Sequence, residues 1–361
     1  MLNGIVVTAA VVAIIVVLVS LAVVDARMLP SAPVARSVLV SFASAGASVV
    51  PWLLAAPIVA PKLGELYLPI AALAALAGYL ATIAVRAAGA GVVTTAVFGL
   101  LWSAVVFVPT AVLTFAAAGT TWPLGLQPID HGGSLAVNVA SGASALGVLL
   151  AGGARVGSAT IRRTTGALAV LALCIGWIGW LVFIEMAIDE ATPLILVNSL
   201  VGALGGIVGW LVVQRILHQS TTLPAVAAGL VSGLVAVTSG ASLFTPLAAV
   251  AAGVVAGGAA CFVTLRRVRA TRRQQWFVVG SHLVAGFTGL VMIGLLATGM
   301  GYFYTGDTGI TFTGIFSLLE NEAISSVLVA VYSAAVSYGL WRLLRVISGR
   351  RGRVARPARV D

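Results

Sequence analysis

Charge is scarce in this sequence. Of 361 residues only 8% are Asp, Glu, Lys or Arg, whereas a water-soluble fold covers its surface with about a quarter. That deficit excludes a soluble enzyme. Lys62 is the only lysine, so the Gly-Lys pair of a phosphate loop is missing, and nucleotide-driven transport with it. There are two cysteines, Cys174 and Cys261, each in the middle of an apolar run. A thiol there behaves as a small hydrophobe, and neither a disulfide nor a metal site is implied. The sequence has no His-Glu-x-x-His string and no Gly-x-Ser-Gly turn, the usual marks of metal-dependent or serine hydrolysis in a membrane. No catalytic residue, metal ligand or cofactor is expected.

What the chain has instead is apolar side chain, at 60% of residues and a mean hydropathy of +1.13. Only lipid solvates so much of it, and lipid admits helices or closed barrels. The period-two alternation of barrel strands is absent. Runs of about 20 apolar residues recur, each long enough to cross about 30 Å of hydrocarbon. They predict eleven spans near residues 4–24, 35–59, 66–86, 91–118, 134–152, 164–184, 193–214, 222–240, 243–265, 276–300 and 322–345. The first span has no basic residues before it and no small-residue cleavage site after it, so it reads as a retained helix. The fold class is an all-α polytopic protein of the cell membrane, its main partner the lipid bilayer.

The net charge of +10 is not a nucleic-acid signal once its position is considered. With the N-terminus outside, nineteen of the 20 basic residues fall on inner loops or in the tail, leaving Lys62 outside. The positive-inside rule therefore gives N-out, C-in. Residues 1–347 read as the transmembrane domain and 348–361 as an Arg-rich inner tail. Eight of the 10 acidic residues, among them Glu65, Asp130, Glu185, Asp307 and Glu322, fall at the outer side.

Polar groups inside the spans are costly and so are candidate sites. The sequence places His282 in the tenth span, Asn138 in the fifth and Asn198 in the seventh, with Glu185 at the outer end of the sixth. His282 is the only histidine within a span, since His131 and His218 fall in loops. Gly202/Gly206, Gly205/Gly209, Gly229/Gly233 and Gly253/Gly257 are spaced by four, which makes flat faces for helix packing. Trp52, Tyr67, Trp276 and Tyr302 read as interfacial anchors. No arginine repeats within a span and no carboxylate lies in the core. The conduit implied is apolar, with one imidazole, and suits a small neutral solute.

Several segments, in order, resemble the ammonium transporter family (Amt, Mep and Rh proteins). Asp130-His131-Gly132-Gly133 with Asn138 eight residues after Asp130 resembles that family's fifth span. Gly280-Ser281-His282-Leu283-Val284-Ala285-Gly286 resembles its tenth, and Ile178-Gly179-Trp180-Leu181-Val182-Phe183 its sixth. The resemblance runs over about residues 90–345. It implies two inverted five-helix repeats with a long eleventh helix, a homotrimer with one pore per chain, and ammonium or methylammonium as the transported solute. It implies that His282, Asn138 and Phe183 line the pore, and that Asp130 supports the site structurally. Substrate recruitment falls to Phe115, Trp180, Glu185 and Ala187. The family's first pore histidine is Asn138 here, its vestibule Trp is Phe115, its vestibule Ser is Ala187, and the second gate phenylalanine falls near Ala74. The acidic regulatory motif expected after Arg345 is missing, so control by a PII-type protein is not implied. Two other readings stay open: a non-conducting sensor or partner subunit, and a pore for another small neutral solute.

Overall fold

The computed structural model describes residues 2–28, 34–115, 122–152, 163–218, 220, 222–266, 273–306 and 309–354. These form eleven helical rods in the predicted order. The first four are Leu2–Met28, Val34–Val59, Tyr67–Ala87 and Val92–Phe115. The fifth is Leu135–Ala151, the sixth Arg163–Phe183, the seventh Thr192–Ile216 and the eighth Leu223–Thr238. The ninth is Pro246–Arg266; the tenth runs from Arg273 to Leu296, and the eleventh is Ser317–Val354. Nine are long and apolar enough to cross a membrane; the fifth and eighth are shorter. The eleventh helix carries its backbone to Val354, past the end of the span read from sequence, while residues 355–361 and Asp307 lie outside the described residues.

The two halves pack alike. The second helix lies against the third and fourth, and the seventh against the eighth and ninth. The first meets the third as the sixth meets the eighth, and the fifth meets the third as the tenth meets the eighth. Five crossings separate equivalent helices, and five is odd, so the second half must run through the membrane upside down relative to the first. The first and sixth helices pair along the join, the fifth and tenth cross at the centre, and the eleventh packs along both of those.

Hydrocarbon offers no hydrophobic drive for helices to associate, so close van der Waals contact and internal hydrogen bonds must hold them. Glycine supplies the first. The seventh, eighth and ninth helices meet backbone to backbone, and a Cβ on Gly206 would lie 2.3 Å from the Gly229 carbonyl oxygen. One on Gly257 would lie 2.2 Å from that of Gly206, and one on Gly253 2.2 Å from that of Gly202. Small polar side chains supply the second. Asn198 donates to the carbonyls of Ala241 (2.8 Å) and Phe244 (2.6 Å), satisfying the turn that follows the eighth helix. Trp52, expected at the interface, is instead fully buried, with Nε1 donating to the Tyr67 carbonyl at 3.0 Å. That bond holds the second helix to the third.

Two features were not legible as spans. Phe303–Gly306 and Gly309–Phe312 pair as an antiparallel hairpin in the loop before the eleventh helix. Its cross-strand Phe303 and Phe312 rings lie 5.9 Å apart, and Tyr302 stacks on Phe316 at 4.4 Å. Three rods also contain a π turn: Ser103–Phe107, Leu135–Val139 and Val279–Val284. Such turns release carbonyls from the helical ladder and often mark functional positions.

The glycine contacts predict a contrast. Gly206→Ala should lower the stability of the detergent-solubilised protein by about 1–3 kcal/mol, the ordinary cost of overpacking. Gly46→Ala, where nothing lies within 4 Å of the added carbon, should be neutral or stabilising by up to about 1 kcal/mol. Thermal unfolding of the two variants side by side checks this.

Candidate functional site

The centre of the bundle is where two π turns cross. Leu135–Val139 carries Asn138 and Val279–Val284 carries His282, at matching places in the two halves. Gly142 lets the helices touch: a Cβ there would stand 2.3 Å from the Leu283 amide nitrogen. Gly286 lies opposite, its side facing Asn138 and Ser134. The two polar side chains face each other across the crossing, with Asn138 Oδ1 3.1 Å from His282 Nδ1. Both are buried, and the imidazole points into the protein and not toward lipid.

The bond fixes the ring's chemistry. Asn138 donates through Nδ2 to Ser134 Oγ at 3.3 Å, so its Oδ1 accepts from the imidazole. His282 therefore carries hydrogen on Nδ1, and Nε2 is the acceptor nitrogen of a neutral ring. Trp177 lies nearly parallel to the imidazole, 6.3 Å between centroids and 21° between planes. Its own Nε1 donates to Thr238 Oγ1 at 3.0 Å, and its ring meets Trp180 at 5.2 Å. Trp180 is fully buried and its Nε1 has no hydrogen-bond partner among the described residues. An aromatic ladder thus leads from His282 along the sixth helix toward its end at Phe183.

Asp130 sits just before the fifth helix and holds its first turn. Its two oxygens accept from the amides of Ser134 and Leu135, each at 2.7 Å. Burial pushes its carboxyl up to about 6, against the downward pull of the backbone N–H groups of Leu135, Ser134 and Gly133. Gly133 has φ +79°, a left-handed turn, and the Phe115 ring occupies the space where a side chain would stand. The far end of the same helix is held by the eleventh: Trp341 Nε1 donates to the Gly152 carbonyl at 2.9 Å and Arg345 to that of Ala151 at 3.0 Å. Tyr332 of the eleventh helix likewise donates to the carbonyl of Val105 in the fourth helix's π turn.

The structure brings together Asn138 and His282, and puts Trp180 one ring away through Trp177. Phe115 lies over Gly133, Phe183 and Ala187 are partly exposed around the end of the sixth helix, and Glu185 follows it. His131 lies in a loop, outside the spans where a polar residue stands out in the sequence. Its ring is buried between the sixth-helix end and the turn after the eighth helix, touching Leu181, Ser242 and Glu185. Trp177 and Ser134, which brace the central pair, were missed as well. A Trp six residues before Phe183 on a pore helix was the available signal.

Comparison with known proteins follows the same lines. The model of the Ammonium Transporter Family matches residues 66–354. The ammonium transporter of Mycobacterium tuberculosis (strain ATCC 25618 / H37Rv) is 29% identical over 269 residues, 70% of this chain and 56% of that protein. The ammonium transporter of Bacillus subtilis (strain 168) is 28% identical over 206 residues, 56% of this chain and 50% of that one. The chain thus spans about half the length of the curated relatives it matches. In fold it is similar to the crystal structure of Saccharomyces cerevisiae Mep2, with a TM-score of 0.76 at 17% identity, covering 96% of this chain and 88% of that one. A sensor Amt protein gives 0.74 at 16% identity over 98% and 94%.

The Asp130 contacts predict a pH effect. A carboxyl whose folded pKa is raised adds stability at low pH, and that stability is lost as pH rises through about 6. The unfolding temperature in detergent should therefore fall between about pH 4 and pH 7. Asp130→Asn should flatten part of that slope while keeping a capping oxygen, and Asp130→Ala should cost about 1 kcal/mol as a lost helix cap.

Proposed function

The chain belongs to the ammonium transporter family, a family of transporters and not of enzymes, and we propose that it carries ammonium nitrogen across the cell membrane as neutral ammonia. The observation that carries this reading is the buried Asn138–His282 pair where the fifth and tenth helices cross. A bare ammonium ion there would forfeit its hydration with no carboxylate to replace it. Ammonia is uncharged. It can donate to His282 Nε2, which the bond to Asn138 leaves free to accept, and can move on through apolar surroundings.

On this reading His282, Asn138 and Phe183 line the conduit, and Asp130 acts only by holding the fifth helix. Phe115, Trp180, Glu185 and Ala187 stand at its outer approach, where a cation is drawn by aromatic faces and by the carboxylate. The chain lies N-out and C-in by its arginine distribution, residues 1–347 form the transport domain, and 348–361 form a basic inner strip. The assembly is a homotrimer, by family resemblance.

Asn138 sets this chain apart. An amide neither takes up nor releases a proton at accessible pH, so no proton can hop from one pore side chain to the other. The pair passes ammonia and leaves the proton behind. The same substitution favours a second reading, in which the chain binds ammonium and signals without conducting.

Flux into proteoliposomes separates the two. The wild-type chain should move methylammonium with little charge per molecule on a supported membrane. His282→Ala should cut flux about tenfold, the worth of one hydrogen bond to the passing solute. Asn138→His should restore a second imidazole and raise the charge carried per molecule. Ammonium binding by wild-type protein without any flux would instead support the sensor.

A further inference from the structure

His131 has a ring whose two nitrogens face different partners, and they leave room for one more proton. Nε2 lies 2.8 Å from the Leu181 carbonyl oxygen, which can only accept, so Nε2 carries hydrogen. In the neutral ring Nδ1 is then bare, and it can take a hydrogen bond from the Ser242 hydroxyl at 3.2 Å. Glu185 Oε2 lies 3.2 Å from that same Nδ1. This carboxylate oxygen is buried and receives no hydrogen bond among the described residues. Two lone pairs therefore face each other, and a proton placed on Nδ1 would satisfy both: the nitrogen would donate to Glu185 and the two would form an ion pair. The His131 side chain is 8% exposed and that of Glu185 26%, so the contact is shielded and the exposed part of the pair belongs to Glu185.

Its position suits the chemistry. Leu181 belongs to the last turn of the sixth helix, between Trp180 and Phe183. The His131 and Gly132 amides bond Ser239 (2.9 Å) and Thr238 (2.8 Å), which fixes the ring against the turn after the eighth helix. The turn from Ser239 to Thr245 and the last turn of the sixth helix bear no charged residue. Asp130 is occupied by helix amides and Glu322 by the Ile129 amide, while Asp189 and Glu190 are exposed on the Glu185 loop. Glu185 is thus the one carboxylate on the ring.

We propose that His131, braced by Glu185, is the proton acceptor at the outer mouth, taking the proton that ammonium must give up before ammonia enters. An N–H bond of ammonium breaks and its electron pair stays on nitrogen, giving ammonia. The proton forms a new bond to His131 Nδ1, and the positive charge rests on the imidazolium beside the Glu185 carboxylate. The proton then leaves outward past Glu185, and the ring is neutral again. This rests on the transport reading above. It adds to that reading the group that holds the charge outside.

The test is ammonium uptake against external pH in proteoliposomes, at ammonium well below half-saturation. Wild-type protein should show a loss of uptake on the acid side, where His131 is already charged. His131→Gln should lower uptake about a hundredfold, the low end for losing a proton acceptor, and abolish that acid limb. Glu185→Gln should alter that acid limb, since the imidazolium loses its counter-ion, and His218→Gln in the loop after the seventh helix should change nothing. Size exclusion and thermal unfolding identify a variant that fails to fold, and if His131→Gln does so, the Glu185→Gln profile decides. Wild-type flux with a pH profile that His131→Gln and Glu185→Gln leave unmoved overturns the proposal alone. No wild-type flux at any pH overturns the transport reading and this proposal with it.

Discussion

Every polar group carried into hydrocarbon must find its partner within the protein, because lipid supplies none. Most of this structure follows from that constraint. Many serines and threonines of the helices bond back to carbonyls one turn earlier, as Ser144 does to Ala140 and Thr110 to Val106. Asn198 closes the turn after the eighth helix, and Trp102 finds Ser144 at 2.7 Å. The same requirement makes the central pair informative. Asn138 and His282 satisfy each other in part, and each comes from a helix whose regular ladder is interrupted at that place.

The second constraint is distance. Helices that gain nothing from burying leucine against leucine must come close enough for backbone contact, and only glycine permits it. Contacts near 2.2 Å from an imagined Cβ run through the seventh, eighth and ninth helices and recur where the fifth crosses the tenth. These contacts set the geometry within which a hydrogen bond of 3.1 Å can form between residues 144 positions apart.

Much of this could be read from the residues alone. Apolar run lengths gave the eleven rods because span length is set by the bilayer and not by tertiary context. The glycine spacing identified the packed faces, and the scarcity of polar residues inside spans singled out Asn138, Asn198 and His282. The π turns were not legible, since a single extra residue per turn leaves the apolar pattern unchanged. The hairpin at Phe303–Phe312 depends on aromatic pairing across a short turn, a weak signal next to spans of 20 residues. Trp52 near a span end looks like an anchor until the third helix covers it. His131 is inconspicuous in the sequence because its partners Leu181, Ser242 and Glu185 are distant along the chain and meet only after folding.

The fifth helix is tied to its neighbours at its two extremities, by the His131 and Gly132 amides on the Ser239 and Thr238 carbonyls at one and by Trp341 and Arg345 at the other. A rod so tied resists sliding or pivoting as a whole. Whatever adjustment it makes to a passing guest must be taken up in its middle, where the ladder has one residue of slack. That slack is at Asn138, so the compliance of the helix and its one amide contact with His282 sit in the same turn.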